Sequence, residues 1–141
     1  MKDLVAGTII VIVLFGLLAR IVVERDYKIK ERQVEDIVYT YTQVASKKGM
    51  LSASMYEEMT KKLGALAVFN INVSAEKFVT DSDNPLEIEG TKVILDKDLR
   101  NEGFDILTIT AIAKSNHMLN AFYNTKRVVY RLNGHASAPV F

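Results

Sequence analysis

The hydrophobic and polar positions divide the chain into two unlike parts. Residues 4–23 read Leu-Val-Ala-Gly-Thr-Ile-Ile-Val-Ile-Val-Leu-Phe-Gly-Leu-Leu-Ala-Arg-Ile-Val-Val, an apolar run whose one charge, Arg20, lies near its C-terminal end. At 1.5 Å per residue, about 20 apolar residues cover the ~30 Å hydrocarbon core of a bilayer. Arg20 is within a turn of the boundary, so its guanidinium can snorkel to the interface. The run therefore predicts a transmembrane helix. A cleaved signal peptide would need a basic start, a shorter apolar stretch and small residues at its end, where this chain has Val-Val-Glu. A helix apolar all round and buried in a core would need a larger protein around it.

From Glu24 to Lys48 there is neither proline nor glycine. Tyr27, Val34, Ile37, Val38, Tyr41, Val44 and Ala45 recur at the three- and four-residue spacing of an amphipathic helix. Between them the charges alternate in sign, from Glu24, Arg25 and Asp26 through Lys28, Lys30, Glu31 and Arg32 to Glu35 and Asp36, as on a solvated neck. Lys47 and Lys48 suit a helix C-terminus, and Gly49 is a natural residue to follow it. With no breaker between the two parts, one nearly continuous helix is predicted from about residue 4 to about 48. Its length would be on the order of 65–70 Å. The apolar stripe of its second half is the expected core face of a small domain, since the heptads are too few for a coiled coil.

Shorter elements follow. Ser54-Met55-Tyr56-Glu57 has the capping-box pattern, and a helix to Leu63 would bury Met55 or Tyr56, Met59 and Leu63 before Gly64 ends it. Leu66 to Ser74 alternates, with Phe69, Ile71 and Val73 on one face and Asn70 and Asn72 on the other, which predicts a strand. Residues 76–90 read as a polar loop, Val93 to Leu95 as a short strand, and Asn101-Glu102-Gly103 as a turn. Phe104 to Ala113 carries apolar residues on both faces, Ile106 and Ile112 against Leu107, Ile109 and Ala111, and belongs in mid-sheet. Lys126 to Ser137 is a third strand, with Val128, Tyr130 and Leu132 on one side. His117 to Tyr123 is too apolar for an idle loop. It is either a helical turn covering the sheet edge or an exposed contact surface formed by Met118, Leu119, Phe122 and Tyr123.

Composition adds limits. The 141 residues leave room for one domain, and the net charge of +1 gives no case for nucleic acid. There is no cysteine, which excludes disulfides, zinc thiolates and cysteine nucleophiles. His117 and His135 stand 18 positions apart, without acidic or histidine neighbours at metal-ligand spacing, and are read as structural. Ser46, Ser52 and Ser54 lack a base partner and are read as caps or turns. Asp81, Asp83 and Asn84 resemble the opening of a calcium loop, but Pro85 and Leu86 follow where that loop needs its glycine and distal glutamate. No catalytic, cofactor-binding or metal residues are assigned, and an enzyme is not expected. Arg20, Arg25, Lys28, Lys30 and Arg32 follow the apolar run and only Lys2 precedes it. Taken literally, the positive-inside rule places the following domain in the cytoplasm.

The order of elements resembles the TadE-like pilus-assembly proteins, pilin-like minor components of the Tad (Flp-type) pilus, in the branch found in Gram-positive bacteria. Lys48-Gly49-Met50-Leu51-Ser52 with Tyr56 and Leu63 is similar to that branch's Lys-Gly-x-hydrophobic-Ser…Tyr…Leu segment. Gly103-Phe104-Asp105-Ile106-Leu107-Thr108-Ile109-Thr110 is similar to its Gly-Asp-hydrophobic-Thr-Val-Thr strand, and Met118–Phe122 and Val128 to Gly134 follow in the same order. The resemblance covers almost the whole chain through short, degenerate motifs. It implies an extracytoplasmic C-terminal domain, an N-terminus at the cytoplasmic face, and assembly with other pilin-like subunits or with pilus machinery as a homo- or hetero-oligomer. Where pilins carry a glutamate five residues into the mature chain, this chain has Val5, with Asp3 the available acid. No leader with a Lys-Gly or Arg-Gly site precedes Met1, so the chain is expected to be already processed or never processed.

The expected fold is α+β and pilin-like, a long transmembrane-plus-amphipathic helix packed on a small antiparallel sheet. Residues 1–23 would be the anchor, 24–48 the neck and 49–141 the extracytoplasmic domain. In the bilayer and then in an assembly, Asp3, Leu4, Gly7, Ile10, Leu14, Leu17 and Ile21 are the candidate helix-packing residues. The alternative is a membrane-tethered binding or regulatory module, such as a bitopic sensor or division-type protein.

Overall fold

The structure, a computed structural model, describes residues 1–78, 86–122 and 130–141. Its first element is the helix α1, Lys2–Lys48, unbroken for 47 residues. It stops in a Schellman motif: Gly49 takes the left-handed conformation (φ 74°), its N–H donates to Ser46 O, and Met50 N–H donates to Ala45 O. Behind it come α2 (Ala53–Gly64), β1 (Phe69–Lys77), β2 (Leu86–Glu89), two single-turn helices α3 (Thr91–Ile94) and α4 (Leu99–Glu102), β3 (Ile106–Ala113), a 3-10 turn at Met118–Ala121 and β4 (Asn133–Pro139). Residues 49–141 are called the head below.

The four strands form one antiparallel sheet in the order β2-β1-β3-β4. Its inner face is set by alternation: Val73 pairs with Ile109, and Ile109 with Ala136, so the buried residues of neighbouring strands line up. The second half of α1 lies across this face. Val34, Val38 and Ala45 from α1, Met59 and Leu63 from α2, and Leu107 and Ile109 from β3 are all essentially inaccessible to solvent. Burying a valine, leucine, isoleucine or methionine side chain contributes about 1.5–3 kcal/mol.

β4 reads Asn-Gly-His-Ala-Ser-Ala-Pro, and its inward residues are only Gly134, Ala136 and Ala138. Small residues are needed there because α1 runs close: a Cβ added to Gly134 would lie 2.9 Å from Val34 Cγ1. The end of the chain is then fastened to the end of α1. Ser46 Oγ donates to Pro139 O, and Phe141 N–H donates to Ser46 O. Arg100 donates from Nε to Phe141 O and from a terminal nitrogen to Lys47 O at 2.6 Å, satisfying a carbonyl that the helix leaves without a partner.

Several expectations are corrected. Part of the 76–90 loop is strand: β1 continues to Lys77 and pairs with β2. Val93 to Leu95 is not a strand, because α3 occupies Thr91–Ile94; it leaves Val93 exposed and Ile94 buried. The α2 cap is Ser52, whose hydroxyl accepts from Met55 N–H at 3.3 Å, rather than Ser54. Asn101 and Glu102 belong to α4, with Gly103 left-handed behind them. The closing strand starts at Asn133, and Tyr130 to Leu132 precede it. Val44 faces solvent, and the core positions beside it are Thr42 and Ser46. Expectations placed on Asp81, Asp83, Asn84 and Pro85, on Tyr123 and on Val128 lie outside the described residues.

The apolar helix and its junction with the head

From Lys2 to Ala19, and again at Ile21 and Val22, the residues of α1 are exposed. Its most apolar stretch has no buried residue, and the helix is long and apolar enough to cross a membrane. Among the proposed packing residues, Leu4, Ile10, Leu14, Leu17 and Ile21 expose half or more of their surface. Nothing lies within 4 Å of a Cβ built on Gly7 or on Gly16. The hydroxyl of Thr8 donates to Leu4 O at 2.8 Å, so the polar group inside the run is satisfied by its own helix.

Asp3, Gly7, Ile10, Leu14, Leu17 and Ile21 follow one another at alternating spacings of four and three, which places them along one side of the helix. That side is not the one that carries the head. Successive residues turn by about 100° around the axis, so the directions of Ile21 and of the buried Val34, 13 positions later, differ by about 140°. Continued up the neck, the same side leads to Arg25, Lys28 and Arg32, which line a shallow depression with Ile29, Gln33 and Asp36.

The head meets the neck around Tyr27. The rings of His117 and Tyr130 pack edge-on against it, with centroids 5.1 and 5.3 Å away. The Tyr27 hydroxyl lies 3.5 Å from Arg131 O. Burial, followed by the charges of Glu31, Tyr130 and Glu35, raises the Tyr27 phenol above its ordinary pKa. His117 Nδ1 accepts from Leu119 N–H at 3.3 Å, which leaves Nε2 facing the Asp26 carboxylate at 3.5 Å. Asn120 completes the junction by bonding both backbone groups of Tyr130: its amide donates to Tyr130 O at 2.7 Å, and its carbonyl accepts from Tyr130 N–H at 2.8 Å.

These contacts decide between the two readings of the 117–122 stretch residue by residue. Leu119 is fully buried and is withdrawn from the contact set, while Met118 and Phe122 stay exposed. The role of Asn120 has no signal in the sequence, since a lone polar residue in an apolar stretch does not name its partner. His135 sits on the outer face of the sheet, where its Nδ1 lies 2.9 Å from the Thr110 hydroxyl; Thr108 and Ser137 pair beside it at 2.8 Å. Among the described residues no three of His, Asp and Glu converge on a point where a metal could be held.

Compared with protein-family models, with curated proteins and with solved structures, the chain matches none.

Proposed function

We propose that the protein is a non-enzymatic, pilin-like structural or assembly component of a cell-surface pilus or related secretion system. It is held in the membrane by residues 4–23 before it assembles. One observation carries this reading: a single helix of 47 residues whose most apolar stretch has no buried residue and whose second half is seated on an antiparallel sheet. A simple membrane tether has no need to be continuous with the core helix of its head. A subunit that packs by that helix does, because a rigid joint fixes where each head stands relative to its neighbours. The partners are the lipid bilayer and other hydrophobic helices, and the domain lies outside the cytoplasm. Deleting the gene tests the proposal: loss of surface pili or of secretion is expected, and unchanged levels of both reject it.

The second reading, a membrane-tethered binding or regulatory module, is favoured by the five basic residues Arg20, Arg25, Lys28, Lys30 and Arg32 behind the apolar run. They direct the head toward the cytoplasm. Protease added to intact cells separates the two: a head that is digested supports the pilus reading, and one that survives until the cells are opened supports the tethered module.

A further inference from the structure

The strands run nearly along α1, and their pairing fixes which end of the head lies closest to the apolar helix. Gly134 at the start of β4 lies against Val34 and Val38, whereas Pro139 at its end reaches Ser46. β4 therefore runs away from the anchor, β3 toward it, and β1 away again. The anchor-proximal end of the head is the start of β1, the end of β3 and the 3-10 turn beyond it. Among the described residues, Val68 at 64%, Met118 at 72% and Phe122 at 44% of their full exposure are left open there, with Ile112 at 43% on the outer face of the sheet beside them. Val68 is held beside Lys114 by the bond from Lys114 N–H to Val68 O, 2.8 Å.

Tyr27, against which this end packs, is four residues beyond Val23, a rise of about 6 Å along the helix. The polar layer on each side of the hydrocarbon core is about 5–8 Å deep. A helix filling the core with residues 4–23 thus brings the Tyr27–Tyr130 pair, and the turn beside it, into that layer. Tyrosine is the residue such a layer favours, with an apolar ring and a polar tip.

We propose that the head rests on the bilayer its own anchor enters, with Met118, Phe122 and Val68 sunk into the headgroup region and the exposed Lys114 among the phosphates. The occupant of this surface is lipid, supplied at fixed distance by the same chain. Phe78 and Phe141, exposed at the opposite end of the strands, are out of reach of the membrane and take no part. This contact rests on the helix being a membrane anchor and is independent of pilus assembly. It also holds whichever side of the membrane the head occupies. In an assembled filament the same surface would be released from lipid.

The chain has no cysteine, so single labelling sites can be introduced cleanly. Full-length Met118→Cys, Phe122→Cys, Leu17→Cys and Ser137→Cys are labelled with a fluorophore. They are reconstituted in phosphatidylcholine vesicles containing nitroxide lipids, with the nitroxide either on the headgroup or deep in the acyl chain. Labels at 118 and 122 are expected to be quenched several-fold more strongly by the headgroup nitroxide than the label at 137. The label at 17 is expected to respond to the deep nitroxide. If 118 and 122 behave like 137 while 17 is quenched, the anchor stands and the lipid contact is overturned. If 118 and 122 are shielded from lipid nitroxide and from a water-soluble quencher alike, protein covers the surface and the proposal is likewise overturned. If 17 is not quenched, the anchor fails and takes the proposal with it.

Discussion

Gly134 of β4 lies directly beneath Val34 of α1, and a methyl group added to it would come within 2.9 Å of Val34 Cγ1 and 3.2 Å of the Val34 carbonyl oxygen. Helix and sheet are pressed together at this point. Gly134→Ala should cost about 1–3 kcal/mol, since a well-packed contact to backbone cannot yield without moving the whole helix. Gly64→Ala, at the end of α2 where a new Cβ meets nothing within 4 Å, should be neutral or stabilising by up to about 1 kcal/mol. Denaturant midpoints of the two variants in detergent should move in opposite directions or, at the least, far apart.

Gly49 carries the chain out of α1 with φ 74°, and a Cβ there would stand 2.8 Å from Arg100 Cβ. Gly49→Ala combines left-handed strain of about 1–2 kcal/mol with that collision. Gly49→Asn should be the milder at the backbone, because asparagine tolerates this conformation better. The readout is the thermal midpoint of each variant against the parent, with Gly49→Ala expected to fall.

Two buried hydroxyls on the same face of α1 should answer differently to removal. Ser46 Oγ donates across to Pro139 O, whereas Thr42 Oγ1 donates to Val38 O in its own helix at 2.7 Å. Ser46→Ala strips a partner from a carbonyl near the end of the chain and should cost about 1–3 kcal/mol. Thr42→Val keeps the shape, and Val38 O keeps its helical bond, so the loss should be smaller. Equal effects would show that the tie between helix end and chain end contributes little.

Tyr27 gives the neck–head junction an alkaline limit. Its phenol titrates higher in the folded protein than in the unfolded chain, chiefly through burial and then through Glu31 and its neighbours. The unfolded chain therefore loses this proton first as pH rises. The contribution to stability is complete below the ordinary value near 10 and is lost as pH climbs through the folded value above it. Tyr27→Phe should abolish that component of the stability–pH curve while keeping the ring contacts with His117 and Tyr130. Unfolding midpoints from neutral pH upward would show it.

A charge in the middle of the bare half of α1 should impair membrane insertion. Leu14→Arg replaces a lipid-favouring residue by one that costs about 3 kcal/mol at the centre of a bilayer. The fraction of protein recovered in washed membranes should drop. Tyr39→Arg, on the exposed side of the neck, should leave that fraction unchanged.

How much of this was legible in the sequence depended on how many residues each element could recruit. α1 was plain, because 47 positions without a breaker carry one apolar run and one periodic stripe, and Gly49 marks the stop. β1 and β3 showed their alternation, although Ile112 turned out to face solvent. β2 was hidden: four residues, Leu-Glu-Ile-Glu, are too few to stand out from a polar tract. α3 was mistaken for a strand because a run that short has no period to separate the two. β4 was placed too early, since the sequence drew attention to Val128, Tyr130 and Leu132. The strand itself is made of glycine and alanine, small because of how near α1 lies, and that nearness is not written locally. The split between buried Leu119 and exposed Met118 needed the tertiary fold.

The turn of about 140° between the Ile21 side of α1 and the Val34 side bears on how copies of this molecule could gather. A neighbour lying along Gly7, Ile10, Leu14 and Leu17 is on the side of α1 turned away from Val34 and Val38, where the described part of the head is seated. Rods bundled through that seam would form a greasy shaft with globular units crowding its circumference, leaving the hydroxyl-bearing sheet surface of Thr108, Thr110 and Ser137 free to face the surroundings.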